Sequence, residues 1–129
     1  MSQIQAFHQK AMDLAEAAAV ARLRGAIEQA VQLTRQAFEQ EFQAATLVAS
    51  NLEAEPTRSV LHRSAASLAI ECGDLQAADR LIATALSGNP PPEIAEELKD
   101  LFIQINLNQY LKRQGIALDI KALQRLVNQ

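Results

Sequence analysis

Apolar residues recur along this chain at helical spacing and divide it into a series of helices. The first apolar stripe runs from Ile4 to Ala21 in steps of three and four residues, which places its members on one side of a helix. A second stripe begins near Ile27 and continues to Leu52. No segment of the sequence shows the period-two alternation typical of a half-buried strand. The pattern therefore predicts an all-α protein.

Glycine and proline residues indicate where these helices end. Gly25 follows two nearby arginines, a combination typical of a helix C-terminus. The alternative is one continuous helix through Gly25, since an internal glycine costs only about 1 kcal/mol relative to alanine. Later breaks are predicted at Pro56, at Gly73 and in the turn 87–92. These breaks predict helices over residues 3–23, 26–51, 57–72, 75–87, 93–112 and 118–128.

Length and charge limit the class of protein. A chain of 129 residues, 49% of them hydrophobic, is long enough for one core, so we expect a single helical-repeat domain over residues 1–129. The net charge of −3 argues against a nucleic-acid binder and against a polybasic membrane anchor. Cys72 is the only cysteine, no signal-peptide pattern opens the sequence, and no apolar run reaches the roughly 20 residues that span a bilayer. These features favour a cytoplasmic protein.

Few residues carry recognisable chemistry. Ser59 and His62 lie one turn apart on a predicted helix, but no oxyanion loop or glycine-rich turn accompanies them. We therefore expect a structural or binding role for His62, and we expect His8 to be solvated. The histidines and Cys72 lack metal-ligand spacing, and the sequence has no glycine-rich phosphate loop. The sequence predicts neither an enzyme nor a metal or cofactor site.

Two segments share an arrangement of small residues followed by glycine. The residues that carry it are Leu14, Ala17, Ala18, Ala21, Gly25, Ala30, Thr34 and Ala37 in the first segment, and His62, Ala65, Ala66, Ala69, Gly73, Ala78, Ile82, Ala85 and Pro90 in the second. The arrangement resembles the tetratricopeptide repeat, with the large aromatic positions replaced and a longer separation than the usual ~34 residues. The segment 55–105 is also similar to a type of short, uncharacterised bacterial helical-repeat protein.

This resemblance implies a right-handed stack of antiparallel helix pairs, with the helices after Pro92 acting as a cap. In tetratricopeptide proteins the first helix of each pair lines a groove that binds a protein or peptide. Matching this sequence to that pattern predicts a partner groove at Met12, Arg22, Val60, Arg63, Ser67 and Ile70. The two arginines either pair with an acidic partner or are solvated and paired within the chain.

The favoured hypothesis is a protein–protein interaction scaffold that presents this groove and catalyses no reaction. The predicted helix 26–51 has apolar residues on more than one side and is longer than the helices of the second repeat. A self-assembling structural homodimer through this helix is therefore an alternative. An antitoxin-like regulatory inhibitor is a third hypothesis, which no particular residue supports.

Overall fold

The computed structural model describes residues 2–115 and 125–126, and this part of the chain contains five α-helices and no strand. The helices are α1 Gln3–Leu23, α2 Ile27–Val48, α3 Thr57–Cys72, α4 Leu75–Leu86 and α5 Pro92–Arg113. The predicted all-α fold is confirmed. The helix predicted over 118–128 lies, except for residues 125 and 126, outside the described residues.

Local sequence signals set the ends of the first two helices. Ser2 caps α1 by accepting a hydrogen bond from the backbone of Gln5 (3.1 Å), while the Gln5 side chain accepts from the backbone of Ser2 (3.2 Å). Gly25 adopts a φ of +79°, a left-handed conformation that favours glycine. The predicted break at Gly25 is therefore confirmed. Helix α2 ends at Val48, three residues before its predicted end.

The turn between α3 and α4 uses a different pair of signals. Gly73 has a φ of +82° and ends α3, and the side chain of Asp74 then caps α4 by accepting a hydrogen bond from the backbone of Ala77 (3.1 Å). A two-residue connection of this kind makes α3 and α4 an antiparallel pair.

Alanines allow α1 and α2 to pack closely as a long antiparallel hairpin. The buried small residues of the two helices are Ala11, Ala18 and Ala21 in α1, and Ala30, Ala37, Ala44 and Ala45 in α2. Small side chains at facing positions let two helix backbones approach, and this contact is the most extensive one between helices in the described part of the chain.

The larger apolar side chains form a second region, where the C-terminal half of α2 meets the later helices. The buried residues that define it include Phe38, Val48, Leu61, Leu68, Leu81, Ile82, Leu98 and Ile105. Consecutive helices pack against each other, and α5 packs on α3 as well as on α4. Helix α1 shares no comparable interface with α3. None of the described helices is long and apolar enough to cross a membrane.

Candidate partner-binding site

Helix α3 lies in the middle of the stack and presents one partly open side. Val60, Arg63, Ser67 and Ile70 follow one another in steps of three, four and three residues, which places all four on the same side of the helix. Each of the four is half-buried, and α5 packs on α3, where Glu97, Asp100 and Leu101 lie beside Arg63 and Ser67. The structure therefore brings together the four groove residues that the sequence predicted on this helix.

An ion pair joins α3 to α5 across this side. Nη1 of Arg63 lies 2.6 Å from Oε2 of Glu97, and the two side chains are 30% and 53% exposed. The predicted alternative of an intramolecular pair is thus confirmed for Arg63. A pair this accessible to solvent contributes about 0–1 kcal/mol. Either side chain can therefore exchange its present partner for another charged group at little cost in free energy.

The ion pair forms part of a shallow depression between α3 and α5. Its lining residues are Arg63, Ser67, Glu97, Asp100 and Leu101. Two carboxylates and one guanidinium group leave the depression with a net negative charge. Leu101 adds a half-buried apolar wall. This arrangement suits a ligand that places a cationic group beside an apolar one.

The predicted groove residues on α1 occupy a different place. Met12 is half-buried and Arg22 is exposed, and both lie on a helix that packs on α2 without a comparable interface with α3. The six predicted residues therefore belong to two surfaces, one on α3 and one on α1. A role for Met12 and Arg22 in partner binding stays a prediction.

Arg58, in the first turn of α3, is a buried polar residue that the sequence analysis missed. It is only 2% exposed. Its side chain donates hydrogen bonds to the backbone carbonyls of Ala49 (2.8 Å), Thr84 (2.9 Å) and Ala85 (3.4 Å). These carbonyls lie at the C-terminal ends of α2 and α4, where backbone acceptors lack helical partners and the helix dipole favours a cation. Arg58 therefore connects the ends of two helices to the beginning of a third.

Two further polar side chains surround Arg58. Ser59 donates a hydrogen bond to the Glu55 carboxylate, not to His62. His62 is buried, and its Nδ1 lies 2.7 Å from the carbonyl oxygen of Arg58, a contact in which the ring donates. Burial is the largest influence on the pKa of His62 and lowers it below the ordinary 6.5, although the hydrogen bond to the carbonyl acts in the opposite direction. The ring is therefore neutral at pH 7.

A second polar contact lies inside the α1–α2 hairpin. Glu41 is completely buried, and its two carboxylate oxygens lie 2.9 and 3.0 Å from Nδ1 of His8. The expectation that His8 is solvated is only partly met, because 40% of its side chain is exposed while its ring pairs with Glu41. A signal was present in α2, because Thr34, Glu41 and Val48 recur every seven residues and so lie on one side of the helix. A carboxylate in that series needs a polar partner from the opposing helix.

Cys72 is half-buried at the end of α3. Burial raises the pKa of its thiol, although the nearby Arg35 acts in the opposite direction. The neutral thiol is therefore the form present at pH 7, and it is a weak nucleophile. Within residues 2–115 and 125–126, no group of three or more His, Cys, Asp or Glu side chains is arranged to hold a metal ion.

Comparison with known proteins identifies no matching family model, no similar curated protein and no similar solved structure.

Proposed function

We propose that this protein is a cytoplasmic protein–protein interaction scaffold without catalytic activity, and that the depression between α3 and α5 binds a partner segment carrying a basic side chain. The observation that carries the proposal is the charge of the depression. Arg63 neutralises one of its two carboxylates, so a cation from the partner gains the attraction of Asp100 and of the exposed side of Glu97. The single cysteine of the sequence supports a reducing compartment.

Apolar contact supplies the second part of the recognition. Leu101 lines the depression, and the half-buried Val60 and Ile70 lie on the same side of α3 as Arg63 and Ser67. Buried apolar area is the main favourable term in most associations, whereas charges at the rim mainly set specificity and the rate of encounter. We therefore expect a partner segment in which a basic residue and an apolar residue lie close together.

We also propose that the helices form a tetratricopeptide-like stack. It is supported by the repeated small residues and by the lateral packing of α5 on α3, which is how the first helices of successive pairs would meet in such a stack. In such a stack, α3 and α5 form the inner wall that a partner contacts. Arg22 on α1 offers a separate contact.

The test is affinity capture from a lysate of the source organism, followed by quantitative mass spectrometry. Three baits are compared: the unchanged protein, a double variant with Glu97→Gln and Asp100→Asn, and the control variant Lys99→Gln. Lys99 is an exposed charged residue of the same helix that lies outside the depression. We expect one partner that the unchanged protein and the control both retain and the double variant loses. Equal recovery of every captured protein by all three baits would contradict the proposed site.

A further inference from the structure

One side of α2 carries an apolar stripe that is buried at Phe38 and exposed over the N-terminal half of the helix. Ile27, Val31, Phe38 and Phe42 follow one another in steps of four, seven and four residues, which places them on the same side of the helix. Phe38 is part of the core and contacts the ring of Phe42 (centroids 5.7 Å apart), which is 43% exposed. Ile27 and Val31 continue the same stripe but are 56% and 55% exposed.

Arg35 lies at the point of α2 where the packing of α3 ends. Its Nη2 donates a hydrogen bond of 3.4 Å to the backbone carbonyl of Cys72, the last residue of α3. Before Arg35, α2 continues back to Ile27, a length of about 12 Å at 1.5 Å per residue. Over this length α1 is its neighbour, and Leu23 at the end of α1 is 88% exposed. We call Ile27 and Val31 the bare stripe, and Leu23 adds a further exposed apolar side chain at the hairpin end.

We infer that a second copy of this chain covers the bare stripe, with the two α2 helices packed antiparallel about a two-fold axis near Val31. The spacing of charged residues in α2 is the reason for proposing a second copy of the chain and not a different partner. Glu28 and Arg35 are both exposed and lie three residues before and four residues after Val31. Antiparallel pairing about Val31 places Glu28 of each copy opposite Arg35 of the other. A two-fold interface requires this kind of self-complementarity.

The surrounding charges fit the same arrangement. Because Arg35 lies at the end of α3, antiparallel pairing brings the hairpin end of one copy beside the α3–α4 turn of the other. The hairpin end carries Arg22, and Glu71 and Asp74 lie at the α3–α4 turn. Specific dimers bury about 800 Å² on each partner, more than Ile27 and Val31 alone supply. The turn and the adjoining side of α1 therefore belong to the interface.

This inference does not rest on the proposed function, since the depression between α3 and α5 lies on other helices. Self-association and partner capture are separate measurements, so either idea can fail without the other.

The first test is the mass of the intact protein by sedimentation velocity across the micromolar range. We expect a dimer for the unchanged protein and a monomer for Val31→Glu, with the same helical content, because Val31 is exposed within one chain. The matched control is Val20→Glu, since Val20 lines a depression on the opposite side of the hairpin with Ala17 and Leu33. A monomer at every concentration, or a dimer disrupted by Val20→Glu and not by Val31→Glu, would overturn the inference.

The second test fixes the antiparallel register by exchanging charges. Glu28→Arg and Arg35→Glu should each weaken self-association at least about tenfold, because each places like charges opposite each other. A mixture of the two single variants should form a heterodimer, and both changes in one chain should restore the homodimer. Single variants that associate no better when mixed than alone would show that these two residues do not meet.

Discussion

Arg58 shows at the scale of one residue how a charge can organise a helical core. Its hydrogen bonds reach the carbonyls of Ala49, Thr84 and Ala85 at the ends of two helices. Thr84 and Ala85 also accept from the Ser87 hydroxyl and the Gly88 backbone, so Ala49 is the carbonyl that depends most on Arg58. An apolar side chain of similar length fills the same space but leaves the Ala49 carbonyl without this donor. The residue therefore stabilises the fold through hydrogen bonds as well as through packing.

We predict that Arg58→Met lowers the free energy of unfolding by about 2 kcal/mol, since it leaves the Ala49 carbonyl without its donor and such a buried acceptor costs about 1–3 kcal/mol. Urea unfolding followed by circular dichroism measures this change. Arg80→Met is the matched control, because Arg80 is an exposed arginine of α4. A loss below about 1 kcal/mol would mean that water or neighbouring groups replace these hydrogen bonds.

Gly88 offers an independent check on the position of the Arg58 side chain. A Cβ atom at residue 88 would collide with the guanidinium group of Arg58. We predict that Gly88→Ala destabilises the protein by about 1–3 kcal/mol, the usual cost of overpacking. Asn89→Ala, at the exposed neighbouring position, should change the melting temperature little. Equal melting temperatures for the two variants would place Arg58 elsewhere.

The lowered pKa of His62 predicts a pH dependence of stability. The unfolded chain binds a proton at this ring more readily than the folded chain. The contribution of His62 to the free energy of unfolding is therefore complete above the ordinary pKa of 6.5 and is lost as the pH falls below it. We expect His62→Gln to lose less stability than the unchanged protein between about pH 7 and pH 5, where His62 titrates in the unfolded state. Chemical unfolding at both pH values gives, for each of the two proteins, the slope of the free energy of unfolding against pH. Identical slopes would show that His62 is not held neutral by the fold.

The sequence could not distinguish these buried polar residues from solvated ones. Arg58 lies three residues before Leu61 and so continues the apolar stripe of Leu61, Ala65 and Leu68. That spacing is the only available signal, because the acceptors come from helices distant in the chain. His8 and Glu41 raise the same difficulty, since each is the other's partner across 33 residues.

At the scale of the element, five helices could be predicted closely because their end signals are local. A capping side chain, a left-handed glycine or a proline acts within a few residues and can be read directly from the sequence. The end of α2 is the main difference. The apolar stripe continues to Leu52, but the chain turns after Val48, where Arg58 binds the carbonyl of Ala49. The local apolar pattern does not mark this end, and the hydrogen bond from Arg58 to Ala49 comes from outside α2.

The hairpin of α1 and α2 contains a buried carboxylate, Glu41, that pairs with His8. We predict that His8→Ala destabilises the protein by about 2 kcal/mol, because it leaves a buried carboxylate without its partner. The loss should be smaller in the background Glu41→Gln, since a neutral amide is less costly to bury unpaired than a carboxylate. A double-mutant cycle by urea unfolding gives the coupling energy. Additive effects would contradict a direct contact.

At the scale of the whole molecule, the contacts between helices were the least predictable part. Periodicity identifies which side of a helix is apolar, but it does not say which other helix covers that side. The predicted groove combined residues of α1 and α3, yet α1 packs on α2 while α5 lies beside α3. The depression with Glu97 and Asp100 was missed because its acidic residues come from the helix assigned to the cap.

The affinity of a captured partner for two opposite charge variants tests the proposed site most directly. For a basic partner segment, calorimetric titration should show weaker binding to Asp100→Asn than to the unchanged protein. Arg63→Gln should bind more tightly, because it releases Glu97 from its ion pair. The reverse order would mean that the partner is acidic and binds Arg63. Equal affinities for all three proteins would contradict binding at the depression between α3 and α5.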